Sequence, residues 1–236
     1  MKPVPVRLAV RPSRHPSLAG SAATGVHPIP PATPSAREAL VQVPELRGAS
    51  GPVPLVLALH GSGGEPAQAL HYLAPFAAEA GVLVVAPASH DYTWDAILGR
   101  PGADIRAIDH ALHWAFDRFA VDPARLVVAG FSDGASYALA LGLANGDVFP
   151  RTVALSPGFV PALEPAGQPR VFISHGTRDA VLPVERCSRR IVPQLRSAGY
   201  EVTYDEFEGG HVIPPPVAQH ACRWMLEPSL ALQPDR

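Results

Sequence analysis

A serine hydroxyl becomes a nucleophile only beside a base, and the base acts only when a third group orients it. This 236-residue chain holds all three types at loop positions. Ser132 stands in Gly130-Phe131-Ser132-Asp133-Gly134, a G-x-S-x-G pentapeptide. That spacing suits a sharp turn from strand to helix: small neighbours remove the Cβ atoms that would clash, and the hydroxyl is exposed at the helix head. As a bare pattern it recurs in ordinary strand-to-helix loops. Here the apolar run Leu126-Val127-Val128-Ala129 precedes it and an Ala- and Leu-rich stretch follows, which is the context the turn needs. Asp179 lies in Ser174-His175-Gly176-Thr177-Arg178-Asp179, just beyond another apolar run, and His211 follows Gly209-Gly210 after a third. Asp205, Glu206 and Glu208 compete as the orienting acid, but they lie on or beside a strand rather than beyond a preceding one. His110 and His113, one helical turn apart, suggest a metal pair; no further ligands stand nearby, so they read as helix-face residues.

Acyl transfer also places negative charge on the former carbonyl oxygen, which calls for N–H donors. One should be the backbone N–H of Asp133, the residue after the nucleophile. The other should be that of Ser62, in His60-Gly61-Ser62-Gly63-Gly64 directly after the run Leu55 to Leu59. A phosphate cradle is the rival use of this Gly-rich stretch. It lacks both the Lys-Ser/Thr ending of a P-loop and G-x-G-x-x-G spacing. His60 is expected to order the loop by hydrogen bonding. The Asp133 carboxylate would repel an oxyanion unless it points outward or is paired. Neither a metal nor a cofactor is called for.

Strands and helices must bring these loops together. Strands are expected at 39–43, 55–59, 82–86, 126–129, 152–155, 170–174 and 201–207. Helices are expected at 66–80, 104–119, 133–144, 185–198 and 216–226. Such alternation means βαβ units and a mostly parallel central sheet flanked by helices, an α/β class. In an open sheet of this kind chemistry collects at the carboxyl ends of the strands. Eleven of the 28 prolines precede residue 55. Because Pro breaks helices, residues 1–38 read as a Pro-rich arm, extended over a surface or partly disordered, and 39–236 as one catalytic domain. Hydrophobic residues at 47% and charged residues at 17% exclude general disorder. A net charge of −2 with scattered arginines and a single lysine, Lys2, gives no footprint for nucleic acid. No apolar run is long enough for a membrane span. No secretory leader is recognisable, so a cytoplasmic location is expected. Cys187 and Cys222 form no disulfide framework and read as buried free thiols, with a single bridge left open.

The segments around His60, Ser132, Asp179 and His211, in the order serine, acid, histidine, resemble the α/β-hydrolase superfamily. Within it they are most similar to the small, lidless carboxylesterase/phospholipase group related to acyl-protein thioesterases. The resemblance covers about residues 39–226 and touches esterases of the feruloyl and polyhydroxyalkanoate depolymerase kind through residues 87–95. It implies Ser132 as nucleophile, His211 as base, Asp179 as its orienter and Trp94 as a wall of the substrate pocket, with a plain core-edge Trp as the alternative for Trp94. Asp133 departs from the group, where Gln, Met or Ala is commoner. Dienelactone hydrolases share the fold but use a Cys nucleophile, against which Ser132 argues. Lipases often insert a lid where this chain has only residues 156–169, with Gly158, Pro161, Pro165 and Pro169 among them. The expected activity is hydrolysis of short-acyl or small soluble esters through an acyl-serine. The alternatives are a thioesterase or phospholipase, a feruloyl or polyester-type esterase, and, from another class, a non-catalytic binding module.

Overall fold

Short apolar strands alternating with helices lay out three layers in the computed structural model, which describes residues 6–12, 23–34, 36–45, 51–100, 102–161 and 164–227. In chain order the elements are β1 (Gly25–Ile29), β2 (Ala39–Val43), β3 (Val53–Leu59), α1 (Pro66–Glu79), β4 (Leu83–Ala86), α2 (Ala103–Arg118) and β5 (Val121–Phe131). They continue with α3 (Asp133–Ala144), β6 (Arg151–Leu155), β7 (Arg170–Gly176), α4 (Ser188–Ser197), β8 (Val202–Phe207) and α5 (Pro215–Leu226). One eight-stranded sheet runs β1-β2-β4-β3-β5-β6-β7-β8. The six strands from β4 to β8 are parallel, and β1 and β2 close one edge antiparallel.

Burial explains the middle of the sheet. Every residue of β3 is buried, as expected for a strand covered on both faces. Leu55, Leu57 and Leu59 face α2 and α3, while Val56 and Ala58 face α1 and α5. The same alternation continues in β7, where Val171 and Ile173 meet α3 and α4 and Phe172 meets α5. The chain leaves β3 toward β4 on one side and returns to β5 on the other. This is the switch point where a crevice opens at the carboxyl ends. Between β6 and β7 the described residues of the 156–169 connection carry no lid domain.

The Pro-rich arm supplies a strand that the sequence pattern conceals. β1 reads Gly25-Val26-His27-Pro28-Ile29, and Pro28 argues against a strand because it cannot donate to a ladder. At the outer edge of the sheet one face of the backbone has no partner strand, so that loss is tolerated. Further upstream, Val6 and Leu8 are buried. The segment is clamped by Asn145, which is itself wholly buried at the end of α3. Leu8 N–H donates to Asn145 Oδ1 (2.8 Å), and Asn145 Nδ2 donates to Val6 O (2.7 Å) and Leu141 O (2.9 Å). Residues 1–5, 13–22 and 35 of the arm lie outside the described residues.

The cysteines settle as two buried free thiols. Cys222 sits on α5, among the apolar residues shared with α1, and Cys187 precedes α4, which packs on the other face. Burial pushes the Cys222 thiol up to about 12. Among the described residues no helix is long and apolar enough to cross a membrane.

Replacing Asn145 with Ala leaves the Leu8 N–H and Val6 carbonyl without partners, each a loss of about 1–3 kcal/mol in a buried setting. Asn145→Ala should therefore lower the unfolding free energy by about 2 kcal/mol or more and speed amide exchange at residues 6–10. Unchanged exchange there would contradict the clamp.

Candidate active site

β5 ends at Phe131 and α3 begins at Asp133, so Ser132 makes the turn alone, with φ 58° and ψ −123°. L side chains rarely adopt this region, and a residue stays there only when its surroundings hold it. Ser132 N–H donates to Leu155 O (3.0 Å), and Ala135 and Ser136 N–H donate to Ser132 O (2.9 and 3.1 Å). The flanking glycines are dictated by close approach. A Cβ on Gly130 would stand 2.1 Å from Gly134 O, and one on Gly134 would stand 2.4 Å from the carbonyls of Leu59 and His60.

His211 meets this serine from the loop after β8. Its Nε2 lies 2.9 Å from Ser132 Oγ, and its Nδ1 lies 2.6 Å from Asp179 Oδ2. A carboxylate can only accept, so Nδ1 carries the proton and Nε2 presents its lone pair to the serine hydroxyl. The Phe131 ring covers the imidazole, with centroids 4.7 Å apart. Asp179 is held from all sides: Oδ1 accepts from Val181 N–H (2.9 Å) and Leu182 N–H (2.8 Å). Burial would raise its carboxyl, but the hydrogen bonds from Leu182, His211 and Val181 and the charge of His211 outweigh it and hold it below the usual carboxylate range. The acid and base loops also touch through backbone. Arg178 N–H donates to Gly209 O (2.8 Å), and a Cβ on Gly176 would stand 2.3 Å from Gly210 O.

The competing residues are all engaged elsewhere. Asp205 holds His220 (2.5 Å), Glu206 holds Arg189 and Tyr204, and Glu208 pairs with Arg178. His175 is buried beneath Asp179; its Nε2–H donates to Leu182 O and its Nδ1 accepts from Ser188 Oγ, both at 2.7 Å. Burial lowers its pKa and keeps it neutral. His110 donates to Pro30 O (2.8 Å), and His113 lies 3.5 Å from Asp117.

The loop after β3 closes the other side. Gly61 packs against Ser132, where a Cβ on it would stand 3.3 Å from Ser132 Cβ. Gly63 and Gly64 use their N–H groups on Tyr92 O (2.7 Å) and Gly61 O (3.0 Å). The N–H groups of Ser62 and Asp133 have no acceptor among the described residues. His60 orders the loop: Nδ1–H donates to Gly61 O (2.8 Å) and Nε2 accepts from Ser89 N–H (3.1 Å). Burial lowers its pKa, which suits a neutral ring with one donor and one acceptor. The Asp133 carboxylate is paired, accepting from Thr93 Oγ1 (2.7 Å).

Trp94 corrects the expectation of a pocket wall. It has no exposed surface and so cannot line a site open to substrate. Its Nε1–H donates to His60 O (2.8 Å), and it stacks on Tyr137, with centroids 5.2 Å apart and planes at 11°. Below it lies a reciprocal clamp that carries no sequence motif. Asp95 N–H donates to Asp104 Oδ2 (2.6 Å) and Asp104 N–H donates to Asp95 Oδ2 (2.9 Å). Gly102 N–H and Tyr137 OH also donate to Asp95, and His90 N–H to Asp104. Thr93 and Asp104 escape a sequence reading because their partners lie in other segments or depend on how the loop folds.

The doubly covered parallel sheet, the strand-to-helix turn at Ser132 and the loop order define the α/β-hydrolase fold in a small form with no lid among the described residues. Relatives agree. The probable feruloyl esterase C of Aspergillus oryzae is 28% identical over 169 residues, 68% of this chain and 60% of that protein. Its counterpart in Aspergillus flavus is 27% identical over the same shares. The chain thus spans about 60% of the length of these curated relatives. Among solved structures, esterase PE8 is 25% identical with a TM-score of 0.61, covering 78% of this chain and 95% of its own. An S-formylglutathione hydrolase of Staphylococcus aureus superposes with a TM-score of 0.70 at 17% identity, over 88% and 100%. No protein-family model matches the chain.

Burial pushes the Asp104 carboxyl up to about 6, against the N–H donors of Asp95 and His90. A carboxyl raised in the fold favours the protonated form. Its stabilisation is complete below about pH 4 and is lost as pH rises through about 6. Relative to Asp104→Asn, the wild type should lose unfolding free energy across that window in denaturant titrations. Parallel pH profiles for the two chains would refute the assignment.

Proposed function

We propose that the chain is a serine carboxylic-ester hydrolase acting on short-acyl or small soluble esters through an acyl-Ser132 intermediate. The observation that carries this reading is the continuous Ser132–His211–Asp179 hydrogen-bond array at 2.9 and 2.6 Å. His211 Nε2 takes the proton as Ser132 Oγ attacks the ester carbonyl. The tetrahedral oxyanion is held by the N–H groups of Ser62 and Asp133, which are free to donate. The Thr93 hydroxyl, donating to the Asp133 carboxylate, offsets part of its repulsion of the oxyanion. Collapse expels the alcohol, protonated by His211, and leaves acyl-Ser132. His211 then deprotonates a water, which attacks the acyl-enzyme, and the second tetrahedral intermediate releases the acid and Ser132. Asp179 fixes the tautomer of His211 and stabilises the imidazolium throughout. A cytoplasmic location belongs to the same proposal; two unpaired thiols accord with it.

The short connection at residues 156–169 supports small acyl groups, because no chain is available there to enclose a long one. A second reading, an ester of an aromatic acid, is favoured by the curated relatives described as probable feruloyl esterases. Rates on p-nitrophenyl acetate and on ethyl ferulate measured side by side separate the two.

Ser132→Ala should abolish turnover of p-nitrophenyl acetate with an unchanged circular dichroism spectrum. Asp179→Asn should lower kcat by about 10³- to 10⁴-fold, as removal of the orienting charge does in serine hydrolases of this type. Only neutral His211 can accept the serine proton, while Asp179 stays ionised below the usual carboxylate range. Activity should therefore fall on acidification. Retained turnover in Ser132→Ala, or a rate that does not change with acidification, would refute the mechanism.

A further inference from the structure

Six large apolar side chains are exposed among the described residues: Val26, Tyr92, Leu98, Phe159, Val181 and Val212. Five of the six lie on loops that leave the carboxyl ends of the parallel strands. Tyr92 and Leu98 follow β4, Phe159 follows β6, Val181 follows β7 and Val212 follows β8. Their exposures run from 45% to 76%. Four of them are tied by hydrogen bonds or by chain adjacency to the proposed machinery. Tyr92 O accepts from Gly63 in the loop against Ser132. The Gly158 and Phe159 N–H groups donate to Ser136 Oγ (3.0 and 3.4 Å), one turn into the helix that Ser132 starts. Val181 N–H donates to Asp179, and Val212 directly follows His211. The exception, Val26, lies on the outer strand β1, paired with Gln42.

Apolar side chains spread singly over a surface need no explanation, but a set gathered on one face marks a contact surface. We propose that this rim rests on the surface of a water-insoluble short-acyl ester, such as a droplet, and so delivers ester groups to Ser132. The inference rests on the hydrolase reading and names the state in which its substrate is presented. Position favours this occupant: the rim surrounds the nucleophile, and a protein or second copy seated there would cover it. The connection at 156–169 is too short to form a lid, so an ester phase can approach without displacing chain. At the rim Arg178 pairs with Glu208 (2.9 Å), and Asp91 is exposed beside Tyr92.

The test uses tributyrin, dissolved or emulsified, and binding is read separately from catalysis. The Ser132→Ala chain should float with emulsion droplets on centrifugation. Adding Phe159→Ser, Val181→Ser and Val212→Ser should weaken that binding by about tenfold or more, since the three side chains bury apolar area only at the droplet. Val26→Ser should leave it unchanged. Tyr92 is kept because its ring lies close against Gly63, in the loop beside Ser132. With Ser132 intact, the rate on tributyrin should climb beyond its solubility limit, and the triple variant should lose that climb. Droplet binding equal in the triple variant would overturn the proposal, as would a dimer in sedimentation that the same substitutions dissolve. Droplet binding without fluorophosphonate labelling of Ser132 would overturn the hydrolase reading and the ester assignment with it, whereas labelling without droplet binding would overturn the rim alone.

Discussion

One residue separates the end of β5 from the start of α3, and at that residue the backbone must take a φ that L side chains avoid. Such a turn exists only if its neighbours hold it more firmly than it resists. Those neighbours are Leu155 O, accepting from Ser132, and the first turn of α3, donating to it. The small residues at 130 and 134 then follow, because the turn brings β3, β5 and α3 to distances at which a Cβ would collide with backbone carbonyls. The same closeness sets the loop of His60 and Gly61 against Ser132. The turn that exposes the hydroxyl thus also brings up the N–H groups proposed to receive the oxyanion.

Around this turn, buried polar groups do the positioning, and most of their hydrogen bonds go to backbone. Asp179 accepts two N–H groups besides His211, and His60 and His175 each use both ring nitrogens. Asp95 and Asp104 exchange backbone bonds across the loop that carries Thr93 and Trp94. A buried polar group lacking a partner costs more than a made bond contributes, so each of these clusters specifies one loop conformation. Trp94 takes part in this as packing, its indole N–H spent on His60 O.

What the scaffold leaves open matters as much as what it closes. The connection after β6 is short, and the loops that frame Ser132 expose their apolar side chains instead of folding them inward. The proposed small-acyl site in an apolar rim would unite limited acyl size with affinity for an apolar phase. The resemblance to esterases at the level of fold fits either kind of ester.

The sequence alone determined what depends on near neighbours. The apolar runs at 55–59 and 126–129, the glycines at 130 and 134 and the serine–acid–histidine order all express local periodicity or local sterics, and most strand and helix positions follow from them. β1 escaped because Pro28 signals against a strand, and only the edge position, set by the rest of the sheet, makes it acceptable. Trp94 was open to two readings, pocket wall or core edge, and only its packing on Tyr137 and His60 decides for burial. The Thr93–Asp133 bond and the Asn145 clamp were tertiary decisions. A hydrogen bond is decided by a few tenths of an ångström and by direction, and neither is encoded in a residue's neighbours along the chain.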